Sequence, residues 1–249
     1  MLDENSVMLL NDIIYKIYTV EPFDKMRKQI LSALNFLIPF SISTFYLTSD
    51  ENPYELTRPI GTGMPDSRWE VYIDKYQELD YTRWTFAAPT SKAYRETDLL
   101  NEEVRINTPF YKSMYAPSNI HYSVILTIIH NGKFLGVITL FRKKDEQDFS
   151  DKEVLLLDLL KDHLGYRLSE SMEKYREKRK NYPTSEKLTK EYNLTPREIE
   201  VVYLLLDGVN REDMCNQLCI STNTLKKHTL NIYKKLNIKS WRELFKLIK

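Results

Sequence analysis

LTPREIEVVYLLLDGVNREDMCNQLCISTNTLKKHTLNIYKKLNIKSWREL, residues 194–244, carries its own helix punctuation. Thr195 and Glu198 form a capping-box pattern, with Pro196 at the first helical position, where a missing N–H costs nothing. The helix that follows sets Ile199, Val202 and Leu206 on one face, and Gly208 stands where a helix end commonly takes a left-handed residue. Asn210 can cap a second helix ending near Leu218, and Ser221 a third running to about Leu236. Two helices separated by Cys219 and Ile220 describe helix-turn-helix geometry.

The third helix decides the chemistry. Leu225, Thr229, Ile232 and Leu236 recur at helical spacing and form its inward stripe. Thr222, Asn223, Thr224, Lys226, Lys227, His228, Asn231, Lys234 and Lys235 fall opposite or beside that stripe. Residues 221–240 hold five lysines and no Asp or Glu, a composition suited to neutralising phosphates with release of counterions. Asparagine and threonine among the lysines can reach base edges. A bare lysine run would read as a solvated helix face. Here caps, spacing and composition agree on double-stranded DNA as the partner.

The same residues carry a resemblance. L-T-x-R-E-x-E-V from Leu194, Gly208, Ile220–Ser221, Thr224–Lys226, His228 and the I-Y-K-K-L of Ile232–Leu236 resemble the LuxR-type helix-turn-helix of bacterial regulators. The resemblance covers about 55 residues and implies an all-α four-helix domain whose third helix enters the major groove, usually as a dimer. By position it implies that Thr224, Lys226, Lys227, His228, Asn231 and Lys235 face DNA. Glu212 stands where the family often has a basic residue, with Arg211 beside it as a substitute contact, and Cys215 stands where a small alanine is usual.

Composition supports a two-part chain. At 249 residues there is room for a large domain and a small one, each with a core. The net charge of +1 is unevenly divided: residues 183–249 carry 12 basic and 8 acidic side chains, residues 1–182 carry 24 and 27. The basic excess therefore sits with the DNA reader. No apolar run approaches a membrane span, and the acidic start MLDENS is unlike a signal peptide, so a cytoplasmic protein is expected. Cys215 and Cys219, four residues apart, could in principle sense oxidants or bind metal. With only His228 nearby in sequence the ligands are too few for zinc, and core packing is the expected role.

Residues 181–193, NYPTSEKLTKEYN, lose apolar periodicity and read as a mobile linker between a sensory domain, 1–180, and the DNA-binding domain, 194–249. The first domain reads as α/β (α+β). Val7–Tyr18 and Phe23–Leu37 have helical spacing, and Ile42–Leu47 reads as a strand. Residues 121–130 and 133–141 form a hairpin about Asn131-Gly132, which favours a type I′ turn. Tyr122, Val124, Leu126 and Ile128 line one face of it, and Ile125 and Ile129 the other, so an antiparallel sheet covered on both sides is expected. A capping box at Ser150 and Glu153 opens a helix carrying Leu157, Leu160, Leu164, Leu168, Met172 and Tyr175, predicted to run unbroken to about Arg179. This order of elements resembles a GAF-like sensory domain, a family in which the sheet and crossover enclose a small-molecule pocket and the terminal helices often form the dimer contact.

The crossover between Trp69 and Tyr115 holds ten aromatic residues, which offer apolar walls with polar tips. Trp69, Tyr72, Tyr76 and Asp80 would share a face if 66–80 were helical, and with Trp84 and Tyr111 they make up the expected ligand site. Autoinducer-binding domains carry Trp, Tyr and Asp in a similar segment, but with other spacing and with Pro where Tyr81 stands. The alternative is that these aromatics only pack the crossover while Asp80 caps, or pairs with Arg83 or Arg95.

No Gly-rich phosphate loop, Ser/His/Asp grouping or metal-spaced cluster is present, so no enzyme, cofactor or metal is expected. The reading is a one-component, dimeric transcription regulator whose N-terminal domain senses a small molecule and controls dimer arrangement. The alternative is a ligand-free dimerising adaptor that recruits a protein partner to DNA. A deep pocket beside Tyr72, Tyr76 and Asp80 would favour the sensor, and a filled core with an exposed apolar patch the adaptor.

Overall fold

A computed structural model describes residues 2–49, 52–65, 67–218 and 220–248, in two compact units, Met1–Met172 and Glu173–Lys249. In the first unit α1 (Glu4–Thr19) and α2 (Phe23–Leu37) precede β1 (Ile42–Thr48) and β2 (Leu56–Thr62). A crossover runs through α3 (Ser67–Val71), β3 (Lys92–Arg95) and α4 (Glu102–Arg105) to the hairpin of β4 (Ile120–His130) and β5 (Lys133–Lys143), after which come α5 (Asp151–Asp158) and α6 (Lys161–Arg179), the latter counted in this unit as far as Met172.

Asn131 and Gly132 take φ of 50° and 70°, the conformation a type I′ turn requires. The turn sets His130 opposite Lys133 and Ile129 opposite Phe134, and after a one-residue shift Ile128 pairs with Gly136 and the new register, which decides which side chains face each side, holds to Tyr122 opposite Arg142. The five antiparallel strands lie in the order β2-β1-β5-β4-β3. On one face Val124, Leu126, Ile128, Ile138 and Leu140 pack against Ile13 and Ile17 of α1, Ile30 and Leu34 of α2, and Leu157, Leu164 and Leu168 of the C-terminal helices. On the other, Ile125, Ile129, Val137 and Phe141 meet Trp69, Tyr72, Phe110 and Tyr115 of the crossover. The sheet is covered on both sides, as its sequence requires.

Two expectations need correction. The helix opened by the Ser150–Glu153 capping box is interrupted after Asp158. Asp158 Oδ1 accepts the backbone N–H of Ala93 on β3 at 2.9 Å, Lys161 closes on Oδ2 at 2.6 Å, and the chain tightens so that Leu160 N–H bonds Leu157 O. The shared face considered for 66–80, of which Asp66 lies outside the described residues, required helix throughout, and the helical stretch ends near Tyr76. After Val71 it widens into a π-turn over Tyr72–Tyr76, with Gln77 N–H bonding Tyr72 O. Each added residue per turn rotates the following side chains away from the stripe, so Tyr72 is buried, Tyr76 half-buried, and Asp80 lies beyond in a turn.

In the second unit α7 (Ser185–Tyr192), α8 (Pro196–Leu206), α9 (Arg211–Gln217), α10 (Thr222–Leu236) and α11 (Trp241–Ile248) surround a core of Leu188, Val201, Val202, Leu225, Ile232, Leu236 and Leu244. The predicted caps form. Thr195 and Glu198 make the reciprocal box, Asn210 accepts from Asp213 N–H, Ser221 accepts from Thr224 N–H, and Gly208 takes a φ of 72°. The segment read as a mobile hinge, 181–193, is instead ordered. Thr184 caps α7, Leu188 is fully buried, Asn193 is a left-handed C-cap, and the Tyr182 hydroxyl donates to Leu206 O. One buried leucine in eight residues is too short a pattern to show periodicity.

Candidate nucleic-acid interface and aromatic cavity

The motif residues Arg197 and Glu198 sit side by side in the first turn of α8, and each reaches a different helix. Arg197 donates to Leu218 O at the end of α9, and Lys235 of α10 donates to Glu198 Oε2 at 2.7 Å and to Asn193 O at 2.8 Å. Glu198 also accepts from Thr195 N–H and Oγ1, at 2.9 and 3.1 Å. Burial pushes its carboxyl up, but Lys235 and the Thr195 bonds outweigh that and hold it below the usual range. Neither residue was among the sequence-derived candidates. The signal was in the motif itself, where a charged pair opens a helix that has little solvent to face.

The lock orients α10. Thr222, Asn223, Thr224, Lys226, Lys227, Asn231 and Lys234 are exposed along it, His228 is half-buried, and Arg211 is exposed at the start of α9. Among the described residues Lys226, Lys227 and Lys234 have no ion-pair partner. Lys235 is different: although predicted to face DNA, it is half-buried and its ammonium is held by Glu198 and Asn193. Cys215 is half-buried with Sγ 4.0 Å from Thr222 Oγ1, while its partner in the expected cysteine pair, Cys219, lies outside the described residues. Among the described residues no group of three or more His, Cys, Asp and Glu is placed to hold a metal ion. Nor is any helix long and apolar enough to cross a membrane.

The crossover candidates separate. Tyr72 and Asp80 line a cavity of about 30 Å3 with Tyr46, Thr82, Phe110, Tyr115 and side chains of the sheet. Trp69 and Tyr76 line a second, of about 10 Å3, and Met114 borders both. Trp84 is 66% exposed and lines neither. Tyr111 turns away, its hydroxyl 2.6 Å from Nδ1 of buried His121, whose Nε2 lies 3.0 Å from Glu102 Oε1. Burial and the adjacent Arg105 hold His121 below the usual imidazole range.

Asp80 pairs with neither Arg83 nor Arg95. Its Oδ2 accepts the Tyr72 hydroxyl at 2.7 Å, and Oδ1 accepts Thr82 N–H at 2.8 Å and Thr82 Oγ1 at 2.7 Å. Arg95 pairs with Asp98 and Asp151. Burial pushes the Asp80 carboxyl up despite these bonds. Glu96 is a second buried carboxylate in this layer, held by the Tyr81 hydroxyl and by Ser123 Oγ, and burial pushes it up too. Nothing in its local sequence marked it, because strand β3 ends one residue earlier and an acid there reads as a solvated turn.

The first unit is therefore a five-stranded antiparallel sheet layered between helices and an aromatic crossover, and the second a capped helix-turn-helix. Residues 192–248 match the family described as "Bacterial regulatory proteins, luxR family", and the C-terminal unit is a luxR-family helix-turn-helix domain. The HTH-type transcriptional regulator MalT of Vibrio cholerae serotype O1 is 35% identical over 71 residues, 28% of this chain and 8% of MalT. The uncharacterized response regulatory protein YgeK of Escherichia coli strain K12 is 40% identical over 65 residues, 24% of this chain and 44% of YgeK. The chain thus spans less than half the length of either relative. The GAF domain of a phosphoenolpyruvate-protein phosphotransferase from Coxiella burnetii superposes with a TM-score of 0.53 at 16% identity, covering 69% of this chain and 97% of that domain. That likeness shows the fold of the N-terminal unit.

Proposed function

We propose that the chain is a transcription regulator that binds duplex DNA through α10 as a homodimer, with the N-terminal domain setting the dimer arrangement in response to a small molecule. The observation that carries the DNA reading is the basic edge of α10, Lys226, Lys227 and Lys234, exposed and without ion-pair partners among the described residues, beside exposed Thr224 and Asn231. The lysines, with Arg211, neutralise phosphates; Thr222, Asn223, Thr224, His228 and Asn231 meet bases or the adjoining backbone. Two such helices must match half-sites about one DNA turn apart, so the spacing between protomers governs affinity, and a signal acts only through its different affinity for two arrangements.

The surface that supports pairing lies on the N-terminal unit. Asp3 bonds Lys152, and Tyr18 meets His163 and Tyr166, so α1 runs beside α5 and the start of α6. Met8, Tyr15 and Tyr18 step along the outer side of α1, and Leu155, Leu159 and Tyr166 along its neighbours, all of them exposed. Exposed apolar side chains on neighbouring helices mark an interaction surface, and we assign it to a second copy of the chain.

Light scattering tests this directly: the expected mass is twice 29.7 kDa, and Tyr15→Glu with Leu159→Glu should halve it and weaken binding to a duplex library. A monomeric wild-type chain with full affinity would overturn the reading. The ligand-free adaptor is favoured by one observation, the modest size of the cavity beside Asp80, where a deep pocket was expected of a sensor. In that case the strip takes a different protein, and the wild-type mass stays at one copy until that partner is added.

A further inference from the structure

The larger cavity has a lining chemistry of its own. Its walls include the rings of Tyr46, Tyr72, Phe86, Phe110, Tyr115 and Phe141, and Asp80 is its one charged lining residue. Aromatic faces are negative and attract a cation held within about 6 Å of the ring centre, more strongly when water is excluded. A carboxylate in the same wall adds a full negative charge, which repels anions and gives a neutral guest only a hydrogen bond. Asp80 accepts three hydrogen bonds from Tyr72 and Thr82, none from a cationic side chain, and a carboxylate has about four acceptor positions. One position is therefore open.

The geometry points to a small organic ammonium as the ligand of this cavity, its N–H bonded to Asp80 and its charge lying against the surrounding rings. At about 10–15 Å3 per water-sized guest, a cavity of about 30 Å3 accepts two or three heavy atoms. Arg83 lies near enough to lower the Asp80 carboxyl in part, yet burial still pushes it up, so a cation in the cavity would add to a charge only partly compensated. Met114 separates this space from the smaller cavity lined by Trp69 and Tyr76, so its side chain limits the length of the guest. The signalling consequence rests on the sensor reading above, whereas the binding does not.

The test compares ethylammonium with ethanol, equal in heavy atoms and different in charge, by saturation-transfer NMR and thermal shift on the full chain at constant ionic strength. Wild type should bind ethylammonium more than about tenfold tighter, Asp80→Asn should bring the two within about twofold, and Met114→Ala should move the preference to butylammonium. Equal binding of the two probes, or binding of neither, overturns the proposal. The wild-type comparison decides it even if Asp80→Asn fails to fold. Ethylammonium binding that leaves dimer mass and DNA affinity unchanged would overturn the sensor reading and leave the ammonium site standing.

Discussion

Four lysines lie along α10, and the structure divides them sharply enough to give each a different effect on the salt dependence of DNA binding. Lys226, Lys227 and Lys234 are exposed and unpaired among the described residues, whereas Lys235 is closed on Glu198 at 2.7 Å and Asn193 O at 2.8 Å. Each phosphate contact contributes about 0.9 to the slope of log K against log salt. In a dimer Lys226→Ala removes two such contacts, so the slope should shallow by about 1.8. Between about 50 and about 200 mM salt, the wild type should then lose about tenfold more affinity than the variant. Lys227→Ala and Lys234→Ala should behave alike.

Lys235→Ala should leave the slope within about 0.3 of wild type, because no phosphate contact is lost. It should instead destabilise the C-terminal unit by about 1.5–3 kcal/mol, the usual worth of a hydrogen bond to a charged group, since Glu198 keeps only its Thr195 partners. Fluorescence anisotropy over a salt series on one duplex, paired with thermal unfolding of each variant, separates the two outcomes. A Lys235→Ala slope that falls as far as that of Lys226→Ala, with stability unchanged, would refute the division.

Three further outcomes follow from buried groups. Leu188→Ala deletes a fully buried side chain of α7 and should destabilise the C-terminal unit by roughly 2–5 kcal/mol; circular dichroism melts reading no loss would mean that 181–193 is a hinge after all. Asp24, held at about 2 by Arg58 and Arg27 against the upward push of burial, stabilises the fold by about 2 kcal/mol above the unfolded carboxylate range near pH 4, and that contribution is lost as pH falls toward 2. Asp24→Asn should flatten that acid limb in pH-dependent urea unfolding, and an unchanged limb counts against the triad. Glu96 has the opposite sign: its raised folded pKa gives stability at low pH that is lost as pH rises through that value. Glu96→Gln should therefore remove a decline in stability above the usual glutamate range, and an identical profile would place the charge elsewhere.

What could be read from the sequence was whatever depended on local chemistry. Caps at Thr195, Asn210 and Ser221, the positive φ at Asn131 and Gly132, and the stripe of Leu225, Ile232 and Leu236 are each set by a few neighbouring residues. The exposed side of α10 followed from that stripe. The hairpin followed from its turn, and a two-sided sheet from strands apolar on both faces. Strand order and the distant contacts of β2 and β3 depend on pairings that no short window contains.

Two of the misread parts share one cause, a polar side chain whose partner lies far away in sequence. Asp158 falls within the helix expected from Ser150 to about Arg179 and bonds the backbone of β3, 65 residues earlier, where the helix is interrupted. Lys235 was read by its place beside other lysines, and its partner Glu198 is 37 residues away on another helix. Asp80, grouped with Trp69, Tyr72 and Tyr76 on condition that 66–80 were helical, stays with Tyr72 but is parted from Trp69 and Tyr76, because the stretch widens into a π-turn. For Asp158 and Lys235 charge identified a group with something to satisfy, and tertiary structure chose the partner. Among the described residues the fold supplies no ion-pair partner for Lys226, Lys227 or Lys234, and Asp80 is held by Tyr72 and Thr82 with Arg83 acting on it only at longer range. A charge that folding leaves unpaired keeps its interaction free energy for something outside the chain. For the exposed lysines that is a polyanion, and for the enclosed carboxylate a cation small enough to enter.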